Sequence, residues 1–173
     1  SIGLVGSEMC IRDRIYRETN YKINKLWRDA QQFLSTGICF GLPGVLKAQG
    51  NMLLLPSGLY LKYDDLQYIQ GEKGLEFTYK VRRGRNRIYG GKIIENVCQA
   101  IARCIIGEQM LKIAKRYRVV LTVHDSIVCC VEDNESEKAR KFIEESMRWT
   151  PDWAKGLPID CESGIGKSYG GCE

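Results

Sequence analysis

Apolar and polar positions change period several times along this chain, and each change predicts an element. Between Ile15 and about Ser35, Tyr16, Ile23, Leu26, Trp27, Ala30 and Leu34 recur at roughly helical spacing. Charged residues fill the positions between, which predicts an amphipathic helix stopped at Gly37. Gly41 to Gly50, with Pro43, reads as a loop. From Met52 to Tyr63 the pattern is strand, turn, strand, because Leu53-Leu54-Leu55 runs into the turn chemistry of Pro56-Ser57-Gly58 and apolar alternation resumes at Leu59. Leu75 to Val81 predicts another strand. Gly90-Gly91 opens the longest helix, to about Tyr117, with Ile94, Val97, Ile101, Ile105 and Ile113 on a wide apolar stripe. A second amphipathic helix, Glu135 to Trp149, faces Ala139, Phe142, Ile143 and Met147 to the core, with Asp133 or Asn134 as its cap. Leu157 to Glu162 suggests a last strand, and glycines make the remaining tail a loop.

The most apolar stretch, Val119 to Val131, carries a polar knot, His124-Asp125-Ser126, at its centre. Two Val- and Ile-rich runs around a polar knot predict a β-hairpin, and runs this apolar suggest strands covered on both faces. A carboxylate at such a tip is held on a fixed frame and points away from the core. That suits a divalent metal ion, which takes hard oxygen ligands. It suits equally an Asp that only stabilises its own turn.

Composition narrows the class. With 173 residues, 44% apolar and 27% charged, the chain can form one domain with a core of its own. No apolar run approaches the roughly 20 residues of a membrane span, and no secretory signal pattern opens the chain. Both set the expectation of an intracellular protein without a membrane partner. Of its eight cysteines, Cys98, Cys104, Cys129 and Cys130 lie in apolar segments and read as small core residues. With one histidine and no Cys-x-x-Cys pair, no zinc module is expected and the thiols are expected to be reduced.

The net charge of +5 permits a nucleic-acid partner without requiring one. Lys80, Arg82, Arg83, Arg85, Arg87 and Lys92 crowd one short stretch that also carries Tyr79 and Tyr89. Cations neutralise phosphates and rings stack on bases; a solvated basic loop has the same composition. On the long helix, Glu95, Gln99 and Arg103 follow at intervals of four and share one face, toward solvent or a groove. Gly166-Lys167-Ser168 imitates the end of a phosphate-binding loop, but Cys161 stands where that motif needs glycine and no helix follows.

These motifs, taken in order, resemble the C-terminal palm of family A DNA polymerases, the group of bacterial DNA polymerase I and many phage replicative enzymes. The likeness rests on Tyr16-Arg17-Glu18-Thr19-Asn20 with Trp27-Arg28, on Leu55-Pro56-Ser57-Gly58, on Tyr89 to Arg103, on His124-Asp125 at a hairpin turn, and on Gly166 to Gly170. The resemblance implies an α/β (α+β palm) fold: an antiparallel sheet with the motif-bearing hairpin and the last strand, and long helices on one face. It implies that Asp125 is one of two aspartates holding two Mg2+ ions, which activate the primer hydroxyl and neutralise phosphate charge. His124 would lie beside the primer terminus. Gln99 and Glu95 would face the minor groove of new duplex, and Lys92, Arg103, Arg83 and Arg85 would help hold DNA. Ser126 stands where many members carry glutamate, which implies tuning, and Leu59 where arginine is common.

The resemblance further implies primer-template DNA and deoxynucleoside triphosphates as partners, an unidentified processivity factor, and the cytoplasm of an infected bacterial host if the gene is a phage's. The family's first catalytic aspartate and its triphosphate-gripping fingers helix are not found in the sequence. Residues 15–173 are therefore expected to be a C-terminal fragment without polymerase activity of its own. Residues 1–14 resemble translated adapter sequence and are set aside as non-native. A non-catalytic palm-like DNA-binding module, and a single-subunit RNA polymerase, remain as alternatives.

Overall fold

The structure, a computed structural model, describes residues 2–37, 46–71 and 74–172. It forms two compact units, residues 1–98 and 99–173, whose boundary falls inside one helix. Secondary structure is mixed, with three separate small antiparallel sheets.

The first unit begins with α1 (Ile2–Thr19) and α2 (Tyr21–Thr36). The single helix expected from Ile15 to Ser35 is thus two helices, and residues 2–14 are helical although their apolar pattern is weak. The break is at Asn20. Its side-chain Nδ2 donates to the Tyr16 carbonyl at 3.1 Å, the same oxygen that accepts its backbone N–H at 2.8 Å. A short amide side chain competing for helical carbonyls disfavours regular continuation. α2 buries Ala30, Phe33 and Leu34 and ends as expected at Gly37, whose φ of +69° suits glycine and whose N–H caps Phe33.

Two three-stranded sheets follow. The first is β1 (Lys47–Gln49), β2 (Met52–Leu54) and β3 (Tyr60–Lys62), the last two joined by the Pro56-Ser57-Gly58 turn. Leu53 and Leu55 are buried there. The second is β4 (Gln67–Gly71), β5 (Gly74–Lys80) and β6 (Arg85–Ile88). β1, β4 and β6 lack a clean apolar alternation and were not expected; the expected loop 41–50 contains β1, and its residues 41–45 lie outside the described residues.

α3 (Gly90–Ala114) starts where Gly90-Gly91 predicts. Gly90 lies hard against α2. A Cβ there would stand 2.0 Å from the Trp27 carbonyl oxygen and 2.8 Å from the Gln31 nitrogen. The Gly90 N–H donates to Gln31 Oε1 at 2.7 Å, closing one open donor of the helix start.

In the second unit, β7 (Arg118–Val123) pairs antiparallel with β8 (Ser126–Cys130), and α4 (Ser136–Arg148) follows. Ile113, Tyr117 and Ala139 are buried at the centre, with Val119, Ile127, Cys129, Val131, Phe142, Ile143 and Met147 packed around them. α4 therefore turns to the core the four residues its spacing predicts, Ala139 buried and Phe142, Ile143 and Met147 half-buried. The helix cap differs: Asp133–Glu135 is a short 3-10 turn, and Ser136 Oγ donates to the Asp133 carbonyl at 2.9 Å. The hairpin is covered on one face rather than two, since Val120 is 50% and Leu121 45% exposed. Cys104 is buried and Cys129 half-buried, but Cys98 and Cys130 are exposed, so those two are not core residues. Cys98, Cys104, Cys129, Cys130, Cys161 and Cys172 form no disulfide among the described residues, and Cys39 lies outside them.

The last strand does not form. Residues 157–166 pair with no sheet, and the hairpin remains two-stranded. Arg148 holds this segment instead: its Nε donates to Asp160 Oδ1 at 2.7 Å and its second terminal nitrogen to the Cys161 carbonyl at 3.0 Å. A side chain thus does what a strand ladder was expected to do. The cation holds the Asp160 carboxyl below its ordinary pKa.

Two outcomes follow. Gly90→Ala forces backbone apart and should destabilise the protein by about 1–3 kcal/mol, as overpacking does. Gly91→Ala, whose Cβ would meet only the Tyr89 ring at 3.3 Å, should be nearly neutral, and urea denaturation of both variants checks the contrast. A depressed carboxylate pKa contributes stability above its unfolded value, about 4, that is lost as pH falls through the lower folded value. Asp160→Asn should therefore melt below the parent at pH 7, with the gap closing as the pH falls below about 4, in melting curves taken from pH 7 downward.

Candidate functional site

The hairpin tip is built from the strands inward. Val123 pairs with Ser126, leaving His124 and Asp125 as a two-residue turn. His124 has φ +54° while Asp125 has negative φ, the sign pattern of a II′ turn, whose first position favours glycine. A histidine in left-handed backbone is held there at a cost of about 1–3 kcal/mol, and such residues gather at functional sites. The frame that holds it is the packed face below: Val119, Ile127 and Cys129 rest against the cluster of α3's Ile113, Tyr117 and α4's Ala139. Burial raises the Cys129 thiol pKa, keeping it a neutral packing group.

His124, Asp125 and Ser126 are all exposed, and none of their side chains has a hydrogen-bond or ion-pair partner among the described residues. The Asp125 carboxylate is therefore open to an external cation or donor. It is isolated, however. Among the described residues no three His, Cys, Asp or Glu side chains gather as a metal site requires. Two magnesium ions need some six oxygen ligands each, largely carboxylates and phosphates, so the residues present do not themselves fit a two-ion centre.

On α3, Glu95, Gln99 and Arg103 are exposed on one helix face, as their spacing predicts. Gln99 and Arg103 have no partner among the described residues. Glu95 is paired at 2.8 Å with Lys92, which raises the lysine's pKa through that hydrogen bond.

The basic stretch divides into two kinds of residue. Arg82 and Arg83 stand exposed beside Gly84 at the β5–β6 turn, without an ion pair among the described residues. Arg85 is a structural clamp: its guanidinium reaches Asp65 Oδ2 at 2.6 Å, the Asp65 carbonyl, and Thr78 Oγ1 at 3.0 Å. That pairing draws the Asp65 carboxyl below its ordinary pKa. Arg87 sits 2.7 Å from Glu76 Oε2. Tyr79 packs edge-on against Tyr63 at 5.3 Å, whereas Tyr89 is 59% exposed. Tyr68 drew no attention in the sequence because it belongs to neither a charge run nor an apolar stripe; the structure sets it beside a hollow in the first unit that Arg28, marked in the sequence only within Trp27-Arg28, also lines.

The architecture so far defines a mixed α and β protein with an exposed, strained carboxylate turn. Against that geometry, the chain is 28% identical over 187 aligned positions to the DNA polymerase of Bacillus phage SP02, covering 98% of this chain and 28% of that protein. The similarity supports a DNA polymerase relationship, and the chain spans little more than a quarter of its relative's length. No family model matches the chain, and no solved structure matches it. Among the described residues no helix is long and apolar enough to cross a membrane.

Replacing His124 by glycine should relieve the left-handed strain and raise stability by about 1 kcal/mol. Urea denaturation of His124→Gly beside the parent checks this; a loss of stability would mean the imidazole packs or bonds at the tip.

Proposed function

We propose that this chain is the palm-bearing C-terminal portion of a template-directed DNA polymerase of the family A, phage type, with Asp125 as one of two metal-binding aspartates. The observation that carries the reading is Asp125 itself. It is an exposed carboxylate on a strained, rigidly backed two-residue turn, in a chain similar along nearly its whole length to a phage DNA polymerase. Primer-template DNA and deoxynucleoside triphosphates are the corresponding substrates, and Mg2+ the corresponding ion.

The roles then divide by position. Asp125 supplies one hard oxygen ligand, and the further carboxylate comes from outside the described residues. His124, fixed by its backbone, borders the place of the primer terminus. Ser126 at the first position of β8 replaces a longer acidic side chain and leaves room beside Asp125. The exposed row of Glu95, Gln99 and Arg103 suits the minor groove of a duplex, where acceptors of all correct pairs sit alike and contact reports shape. Lys92, Arg83 and Arg85 belong to the phosphate-facing set of this reading, with Arg85 the least available because Asp65 and Thr78 engage it.

A second reading has one observation in its favour. The isolated carboxylate suits a palm-like module that binds DNA without catalysis.

Asp125→Asn in the complete polymerase separates the two. Magnesium-dependent primer extension should fall by on the order of a thousandfold, equivalent to several kcal/mol of lost charge stabilisation, with duplex binding intact. Unchanged extension would remove Asp125 from the metal site. The 173-residue chain by itself should show no synthesis in the same assay.

A further inference from the structure

Each of the two three-stranded sheets in the first unit has two outer strands. Native sheets guard such edges with charge or proline, because open N–H and C=O groups pair with any extended chain. β1 carries Lys47, β3 Lys62, and β6 both Arg85 and Arg87. β4, Gln67-Tyr68-Ile69-Gln70-Gly71, carries neither charge nor proline, and all of it but Gly71 is exposed. It pairs with β5 on one side. On the other, no backbone group among the described residues bonds it. We propose that this edge docks an extended acidic segment of a protein partner, which adds to the sheet as a fourth strand and sets a carboxylate against Arg28.

Register determines where the added side chains go. Tyr68 pairs with Phe77, and Ile69 with Glu76, so the two pairs stand on opposite faces of the sheet. The Tyr68–Phe77 face borders an open hollow of about 650 Å³, whose other wall is α2 with Arg28, Gln31, Gln32 and Leu34. A residue placed opposite Tyr68 on a fourth strand shares that face and projects over the hollow. The Tyr68 and Phe77 rings, 4.5 Å apart and with Tyr68 57% exposed, give its apolar part a wall.

Charge selects the occupant. One cation and no acid line the hollow. Arg28 is exposed and has no ion pair among the described residues. The acids of the neighbouring elements are engaged: Asp29 with Lys25 at 3.0 Å, Asp65 with Arg85 at 2.6 Å, and Glu76, on the opposite face, with Arg87 at 2.7 Å. A second copy of this chain would bring the same guanidinium and a net charge of +5. An acidic strand meets Arg28 without a competitor, and its main chain continues the ladder that β4 leaves open.

Fluorescence anisotropy of the 173-residue chain with a labelled peptide tests this. The peptide has about eight residues, the length of a strand, with valine and threonine alternating around a central aspartate. Lysine in place of the aspartate should weaken binding about fivefold, as loss of an exposed ion pair does. Arg28→Glu should reverse that order, with the lysine peptide the tighter. A strand pairs through one edge, so methylating one alternate set of peptide amide nitrogens should abolish binding, and methylating the other set should leave it. On binding, the β4 amides should exchange hydrogen more slowly while those of β1 and β6 keep their rates. Circular dichroism confirms that Arg28→Glu folds, and the methylation and exchange results need the parent alone. Equal binding of the two methylated peptides, unchanged exchange in β4, or an aspartate preference that survives Arg28→Glu would overturn the proposal. So would a dimer in sedimentation of the chain alone with β4 already protected, which gives the edge to a second copy. Displacement of the peptide by a thymidine oligonucleotide would likewise overturn it, in favour of nucleic acid. None of these readouts involves catalysis, so their failure leaves the role of Asp125 untouched.

Discussion

A two-stranded hairpin is marginal in water by itself, and the carboxylate turn of this protein exists because helix packs on one side of β7 and β8. Tyr117 and Phe142 meet edge to face at 5.7 Å, and the Arg116 guanidinium lies 4.9 Å from the Phe142 ring. Around them Ile113, Ala139, Ile127 and Cys129 exclude water from the inner face. Gln109, fully buried, ties α3 to the end of α4 by donating to the Met147 and Trp149 carbonyls at 2.6 and 3.0 Å. These contacts hold the strand ends still enough for a histidine to remain in left-handed backbone. The strain at His124 is local, and the apolar contacts that oppose it are spread over the whole second unit.

How far the sequence disclosed this depends on whether a signal was periodic. α2, α3, α4 and the hairpin were legible because their apolar residues repeat at 3.6 or 2 and their ends carry Gly37, Gly90 and the His-Asp-Ser knot. The inward residues of α4 were legible for the same reason. β1, β4 and β6 were not, because an edge or exposed strand such as Arg85–Ile88 has no need of apolar alternation. The strand expected at 157–162 was a misreading of Leu157-Pro158-Ile159 as sheet, where the partner turned out to be one arginine. The helix break at Asn20 depended on a side-chain hydrogen bond that composition does not display.

The candidate residues show the same division. Asp125 and the row on α3 could be found by position, since a turn tip and a helical face are consequences of local pattern. The basic stretch could be found as a charge cluster, but its partition could not. Arg85 meets Asp65 across 20 residues of chain, a pairing made by the β4–β5–β6 sheet and invisible before it.

One irregularity in β7 has a meaning for how this protein can vary. Val119 pairs with Cys129, but Leu121 pairs with Val128, so Val120 has no opposite number. Side chains of a strand alternate between faces, and an extra residue reverses the alternation from that point on. Val119 therefore points to the core while Val120 and Leu121 both stand toward solvent, and the alternation reaches the tip with its parity changed. Counting through β7 is thus a form of addressing. Losing one residue from this strand would present either the core set or the turn to the wrong side, while the hydrophobic content stayed nearly the same. Related chains should then tolerate exchange of one apolar residue for another here far more readily than any change in number.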